Sequence, residues 1–193
     1  MNFEEIKEKV KIKFKDNPRY KHMEEVVNMA LKLNHQFGVD VEKIKLAGIL
    51  HDYTKEMTLD ESVAYLTKYL SNEELLEAKK YPSVIHSITA YYAVQIEFGI
   101  TDEDILKAIL YHTTGNPHMT KLQELIFVAD AIEETRTYNG VEEIRKAVLE
   151  DFYQGMLLMM EKTLTHLKEK GWYINPKTQE TYDYYWRIYG INK

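Results

Sequence analysis

The stretch Ile44-Lys45-Leu46-Ala47-Gly48-Ile49-Leu50-His51-Asp52-Tyr53-Thr54-Lys55 decides how the chain is read. Ile44, Ala47 and Gly48 stand at helical spacing from His51, so the segment reads as a helix with the imidazole on its buried side, close to the helix end. A carboxylate follows at once. The dipeptide alone is weak evidence: with 7 histidines in 193 residues, shuffled chains would hold roughly 0.3 His-Asp pairs each. What matters is whether other ligand-type residues share this placement.

They do. His22 shares a face with Val26, Met29 and Leu33, His86 with Ala90 and Ala93, His112 with Ile105 and Ile109, and Asp130 with Leu122 and Ile126. A single imidazole on an apolar stripe is commonly a hydrogen-bonded core residue. An ionised carboxylate there is costly unless a cation or several donors compensate it. Asp130 ends the run Leu125-Ile126-Phe127-Val128-Ala129, so it asks for a compensating charge, which a metal would supply. Histidines and aspartates on the inner faces of five predicted helices form a nitrogen and oxygen set that suits iron or manganese, and helix-bundle cores are common places for such sites. The chain has no cysteine, so neither thiolate ligands nor disulfides are available.

Helical spacing dominates the rest of the chain and the fold class is all-α. Thr58 with Glu61, Ser71 with Glu74, Thr101 with Asp104 and Thr120 with Gln123 have the pattern of reciprocal helix caps. Breaks fall at Asn17-Pro18, Gly38, Tyr81-Pro82, Gly99, Gly115-Asn116-Pro117, Asn139-Gly140 and Asn175-Pro176. They predict about seven or eight helices in one bundle. No repeat or Gly/Ser-rich linker interrupts the chain. The expectation is a single domain over 1–193, with its core at about 17–180 and an aromatic tail, 181–193, holding Tyr182, Tyr184, Tyr185, Trp186 and Tyr189. Such a tail packs on the bundle or on a second subunit, which makes a homodimer an expectation to test.

A hydrophobic content of 45% supplies a core, and a net charge of -6 argues against nucleic acid as a partner. Lys7, Lys9, Lys11, Lys13 and Lys15 read as a solvated helix face. No apolar run reaches the ~20 residues of a membrane span, so no membrane partner is expected. With no cysteine and no leader-like segment, the expected compartment is the cytoplasm.

The order His22, His51-Asp52, His86, His112, Asp130 resembles the HD superfamily of metal-dependent phosphohydrolases. The strings Arg19-Tyr20-Lys21-His22, Leu46 to Lys55, Tyr111-His112-Thr113-Thr114-Gly115 and Gly140-Val141-Glu142-Glu143-Ile144-Arg145 are similar to its YqeK-like branch, symmetrical hydrolases of diadenosine tetraphosphate. The similarity covers about residues 17 to 180. It implies an HD-type helical bundle in which a metal-activated water attacks the polyphosphate to give two ADP. Iron is the favoured metal, as one or two ions, with manganese or another divalent ion also accepted. By position, His22, His51, Asp52 and Asp130 would hold the firmer ion. His86 and His112 would either bind a second ion with Asp52 bridging or contact phosphate oxygens, and Asp52, His86 and His112 would be the catalytic group.

Beside these ligands, Arg19, Lys55 and Arg136 are candidate phosphate cations, and Thr113, Thr114 and Gly115 offer hydroxyl and backbone donors. The loop Gly171-Trp172-Tyr173-Ile174-Asn175-Pro176 matches one lying near base and ribose in the family, which makes Trp172, Tyr173, Ile174 and Pro176 substrate candidates. His35 and His166 read as surface residues, and His118 as a loop residue behind the ligands. One departure is Glu134, where the family commonly has proline. Two rival readings follow: an HD phosphohydrolase for another nucleotide, and a metal-stabilised nucleotide sensor without turnover.

Overall fold

The computed structural model describes residues 1–190, which form eleven α-helices with no strand among them. In chain order these are α1 (Phe3–Lys13), α2 (Pro18–Leu33), α3 (Val41–Leu50), α4 (Leu59–Leu66), α5 (Asn72–Lys79), α6 (Ile85–Phe98), α7 (Glu103–Tyr111), α8 (Lys121–Ile132), α9 (Val141–Glu150), α10 (Phe152–Glu169) and α11 (Pro176–Tyr189). The all-α expectation holds, but the count is higher than seven or eight. The extra helices come from breaks with neither Gly nor Pro. The chain turns after Leu50 and again after Leu66, and Asp151, extended at φ -150°, ends α9 and caps α10 with its own side chain.

Thr58, Ser71 and Thr120 make the reciprocal caps expected of them. Thr101 does not. Asp102 caps α7 instead, accepting from the Asp104 and Ile105 amides, since aspartate is at least as good a cap and stands one residue nearer. Asp104 is thereby free to accept from Thr120 Oγ1 at 2.5 Å and Gln123 Nε2 at 2.8 Å, which ties α7 to the start of α8.

Four helices form a closed ring: α2 packs on α3, α3 on α7, α7 on α8 and α8 on α2, with α6 flanking α7. Met23, Leu33, Ile44, Leu50, Ile109, Leu122 and Leu125 are wholly buried between them, each contributing about 1.5–3 kcal/mol of burial. The α2–α3 contact depends on Gly48, where an added Cβ would lie 2.7 Å from Val27 Cγ2. That close approach brings the helix bearing His22 against the helix that ends at His51. α4 and α5 pack on α6 around a smaller cluster of Leu66, Leu75, Ala78 and Ile85.

The aromatic tail packs on its own bundle as part of α11. Tyr185 is buried and donates to Glu124 Oε1 of α8 at 2.8 Å, and the Tyr189 ring stacks on Tyr153 at 3.9 Å. At Gly115, φ is +64° and an added Cβ would meet Thr181 Cγ2 at 2.6 Å, so only glycine lets α11 sit on the loop after His112. Ile191, Asn192 and Lys193, the end of the expected tail, lie outside the described residues. Lys9, Lys11, Lys13 and Lys15 are exposed and Lys7 pairs with Glu24, as a solvated face requires. Among the described residues no helix is long and apolar enough to cross a membrane.

Candidate metal centre

The six residues singled out by the sequence converge. His22 comes from α2, His51 and Asp52 from the end of α3, His86 from α6, His112 from the end of α7 and Asp130 from α8. Each histidine is nearly or wholly buried, as is Asp52. His22 Nε2 lies 3.2 Å from His51 Nε2 and 3.1 Å from Asp130 Oδ1. His86 Nε2 lies 3.1 Å from His112 Nε2. Asp52 stands between the two pairs. Its Oδ2 is 3.7 Å from the Nε2 of both His22 and His51, while its Oδ1 is 3.2 Å from His86 and 3.4 Å from His112.

Local structure aims these rings. α3 and α7 each end one residue before a histidine, and the last carbonyls of a helix lack internal partners. His51 Nδ1 takes up Gly48 O at 2.7 Å and His112 Nδ1 takes up Ile109 O at 2.7 Å. A proton on Nδ1 leaves the Nε2 lone pair facing inward, the form a metal needs. His22 is aimed in the same way by Glu133, wholly buried, whose Oε1 is 3.1 Å from His22 Nδ1.

Positive charge belongs at this point. Burial works against a charged His22, yet the Asp130 carboxylate overcomes it and raises its pKa. His51 is pushed by burial down to about 3 and His86 down to about 4, so both are neutral nitrogen donors. Burial favours neutral carboxyls at Asp52 and Asp130, but histidines hold Asp52 far below the usual range, and His22 and Arg136 do the same for Asp130. Imidazole nitrogens and carboxylate oxygens, spaced 3.1–3.7 Å apart, match the edges of a coordination shell. Ligands about 2.1 Å from a metal stand about 3.0 Å apart in an octahedron and about 3.4 Å in a tetrahedron. His22, His51 and Asp130 form one compact donor group and His51, Asp52 and His112 another. The residues fit a metal.

The candidate cations ring the same oxygens. Arg19 Nη1 donates to Asp52 Oδ2 at 2.7 Å, Arg136 Nη2 to Asp130 Oδ1 at 2.5 Å, and Lys55 Nζ is 3.2 Å from either His86 ring nitrogen. Burial lowers the Lys55 pKa against the pull of Asp52 and Asp130. Beside His112 and Asp130 opens a cavity of about 260 Å³ with Phe127, Met159, Tyr173 and Asn175 in its walls. Thr113 also lines it, and its buried Oγ1 has no hydrogen-bond partner. Thr114 Oγ1 is already engaged, donating to Gly115 O. The rest of the loop divides: Tyr173 lines this cavity, Ile174 is half-buried and Pro176 lines a neighbouring cavity. Trp172 stands apart, exposed and edge-on to His166. His35 and His166 are exposed, and His118 is exposed against Tyr184 rather than behind the ligands.

This arrangement is a family signature. The HD domain family matches residues 19–135. The chain belongs to the HD-domain family. It is 37% identical over 190 residues to a symmetrical bis(5'-nucleosyl)-tetraphosphatase of Bacillus subtilis, covering 98% of this chain and 100% of that protein. A protein of the same name from Staphylococcus aureus is 36% identical, with 96% and 95% covered. The crystal structure of a predicted HD superfamily hydrolase involved in NAD metabolism from Clostridium acetobutylicum superposes with a TM-score of 0.86 at 29% identity, covering 97% of this chain and 98% of that one. The matched HD region spans His22 to Asp130 and therefore all six ligand candidates.

Two residues of this HD centre escape a sequence reading. Glu133, which orients His22, also accepts from Thr135 N and Thr135 Oγ1 at 2.6 Å each. Arg145 is buried on α9 and donates to the carbonyls of Ile132, Glu133 and Arg136, clamping the loop that carries Glu133 and Arg136. Its signal was present: Val141, Ile144, Arg145 and Val148 share one helical face, and a cation on an apolar stripe needs partners. Glu134, the departure from the family pattern, points outward and pairs with Lys32 at 3.5 Å, so the turn is held by its neighbours.

Proposed function

We propose that the chain is one HD domain that hydrolyses diadenosine tetraphosphate symmetrically to two ADP, with iron as its metal. The observation carrying this reading is the Asp52 carboxylate, one oxygen toward His22 and His51 and the other toward His86 and His112, so that Asp52 and these imidazoles would together hold divalent metal. The names of the relatives give the substrate class. Bound there, divalent ions would polarise phosphoryl oxygens and acidify water.

The chain's own residues do the rest. Arg19 and Arg136, a quarter and a third exposed at the mouth, swing a planar donor fork toward phosphate oxygens, and Lys55 adds a point charge beside His86. They neutralise charge that grows on the phosphoryl group as it transfers. Thr113 Oγ1 supplies a donor at the cavity floor. The apolar walls of Phe127 and Met159 with the ring of Tyr173 take one nucleoside. ADP leaves as a weak base, so no strong general acid is needed. Neither a partner subunit nor nucleic acid enters this scheme, and a homodimer and a cytoplasmic setting remain compatible with it.

Product chromatography tests the reading. Diadenosine tetraphosphate incubated with iron-loaded protein should yield ADP alone. ATP plus AMP would move the attack off the central bridge, and no cleavage by the loaded protein would leave a nucleotide-binding protein without turnover.

A further inference from the structure

We infer that a second cavity, sharing a wall with the one beside His112 and Asp130, receives the other nucleoside of the dinucleotide. This deepens the functional reading above and rests on it. The cavity measures about 600 Å³ and lies between α5, α6 and the first turn of α11. Its walls include Leu70, Ala78, Ile88 and Tyr92. Tyr92 has its ring plane fixed by Tyr69, stacked at 4.6 Å and 11°.

This cavity adjoins the centre through a shared wall. It shares Tyr81, Val84 and Asn175 with the smaller cavity beside His112 and Asp130, so the two are neighbours across a common wall. The smaller cavity thus reaches the centre through His112 and Asp130, and the larger lies beyond the shared wall.

The substrate has the same layout. Cleavage at the central anhydride leaves a nucleoside diphosphate on each side of the broken P–O bond, so with that bond at the centre the two nucleosides need separate sites. One pocket of about 260 Å³ cannot hold both. The loop from Tyr173 to Lys177 fits a divider, with Tyr173 facing one cavity, Pro176 and Lys177 the other, and Asn175 both. Because the larger cavity offers mainly apolar and aromatic walls, it holds the ring by its face and discriminates weakly among bases.

The test compares two ligands that differ by one nucleoside: a dinucleoside tetraphosphate with a methylene at its central bridge, which resists cleavage, and adenosine 5'-tetraphosphate. Calorimetry on the metal-loaded chain should give the two-ended ligand about tenfold tighter binding, and Leu70→Trp, which fills the larger cavity, should erase that advantage without weakening the one-ended ligand. Tyr92→Ala, which removes a wall instead, should cut the same advantage and serves if the tryptophan variant does not fold. Equal affinity of the two ligands in the unaltered protein, or equal loss of both in the variants, overturns the inference. Failure of the functional reading would look different, as absence of ADP from the cleavable dinucleotide, and these binding measurements do not depend on cleavage.

Discussion

Glu133→Gln is the substitution that tests how the centre is built. The carboxylate is wholly buried, and its two oxygens face three donors: His22 Nδ1 at 3.1 Å, Thr135 Oγ1 at 2.6 Å and Thr135 N at 2.6 Å. A glutamine has the same shape but exchanges one oxygen for an NH2 group. Whichever way the amide is turned, that group confronts a donor, either the Thr135 amide or the His22 and Thr135 side chains. One charge-assisted bond is lost, about 1.5–3 kcal/mol, and the Nδ1 proton that keeps His22 Nε2 free for metal loses its acceptor. Outer residues of this kind typically govern 10- to 100-fold in metal affinity or activity, so iron affinity should fall by that factor, read by competition with a chelator of known strength. Glu134→Gln is the control. It changes the adjacent residue, which is exposed and paired only with Lys32, and should leave both stability and metal affinity unchanged. Iron affinity within twofold of the unaltered protein in a folded Glu133→Gln variant would refute the argument that Glu133 orients His22.

Asp52→Ala should reduce turnover below detection, whereas His35→Ala and His166→Ala, both at exposed positions, should retain activity; equal losses in steady-state assays of all three would mean the histidine cluster is only a core. Chelation of the metal should lower both activity and melting temperature, because an ion bound only by the native state shifts unfolding; ferrous iron or manganese should restore them, and a fully active chelated protein would end the metal assignment. Arg136→Ala should cost ten- to a hundredfold in kcat/KM, consistent with loss of a contact of about 1.5–3 kcal/mol, with Arg136→Lys recovering part of it; an unchanged kcat/KM would remove Arg136 from substrate binding. Arg145→Lys should destabilise the fold by about 2–4 kcal/mol in denaturant titration, since one ammonium cannot reach the carbonyls of Ile132, Glu133 and Arg136 together; an unshifted midpoint would show that the loop does not depend on the clamp.

The residues that meet at the centre were legible because each sits on an apolar stripe, and a charged or imidazole group on a buried face needs a partner wherever the chain folds. The helical class was legible for a similarly local reason, since caps such as Thr58 with Glu61 are read within four residues. What escaped depends on pairs far apart in sequence. His22 and Glu133 are separated by 111 positions, and nothing near either one names the other. The three missed helix breaks, after Leu50, after Leu66 and at Asp151, escaped because they carry neither glycine nor proline. Asp151 caps α10 with its side chain and needs no glycine or proline. The turn after Leu50 is held by i to i+3 bonds, Tyr53 N to Leu50 O and Lys55 N to Asp52 O, and by Thr54 Oγ1 donating to the His86 carbonyl.

That turn explains how the dipeptide could serve as a metal-binding unit at all. In a continuing helix, consecutive side chains diverge by about 100°, and the Gly48 carbonyl would be occupied by the amide of Asp52. Because α3 stops at Leu50, the carbonyl is left for His51 Nδ1, which folds the ring back along the helix, while Asp52 is released into a turn that directs its carboxylate between the two histidine pairs. His112 repeats the device at the end of α7 with the Ile109 carbonyl. The two helix ends thus present two imidazoles with their rings 4.8 Å apart, and only one is followed by an acid. On the proposed reading the asymmetry has a use: a second aspartate in place of Thr113 would put another carboxylate beside His112 and Asp130, at the cavity proposed to take the anionic substrate. Threonine at that position, its Oγ1 without a partner, would offer a phosphate a neutral donor where aspartate would repel it.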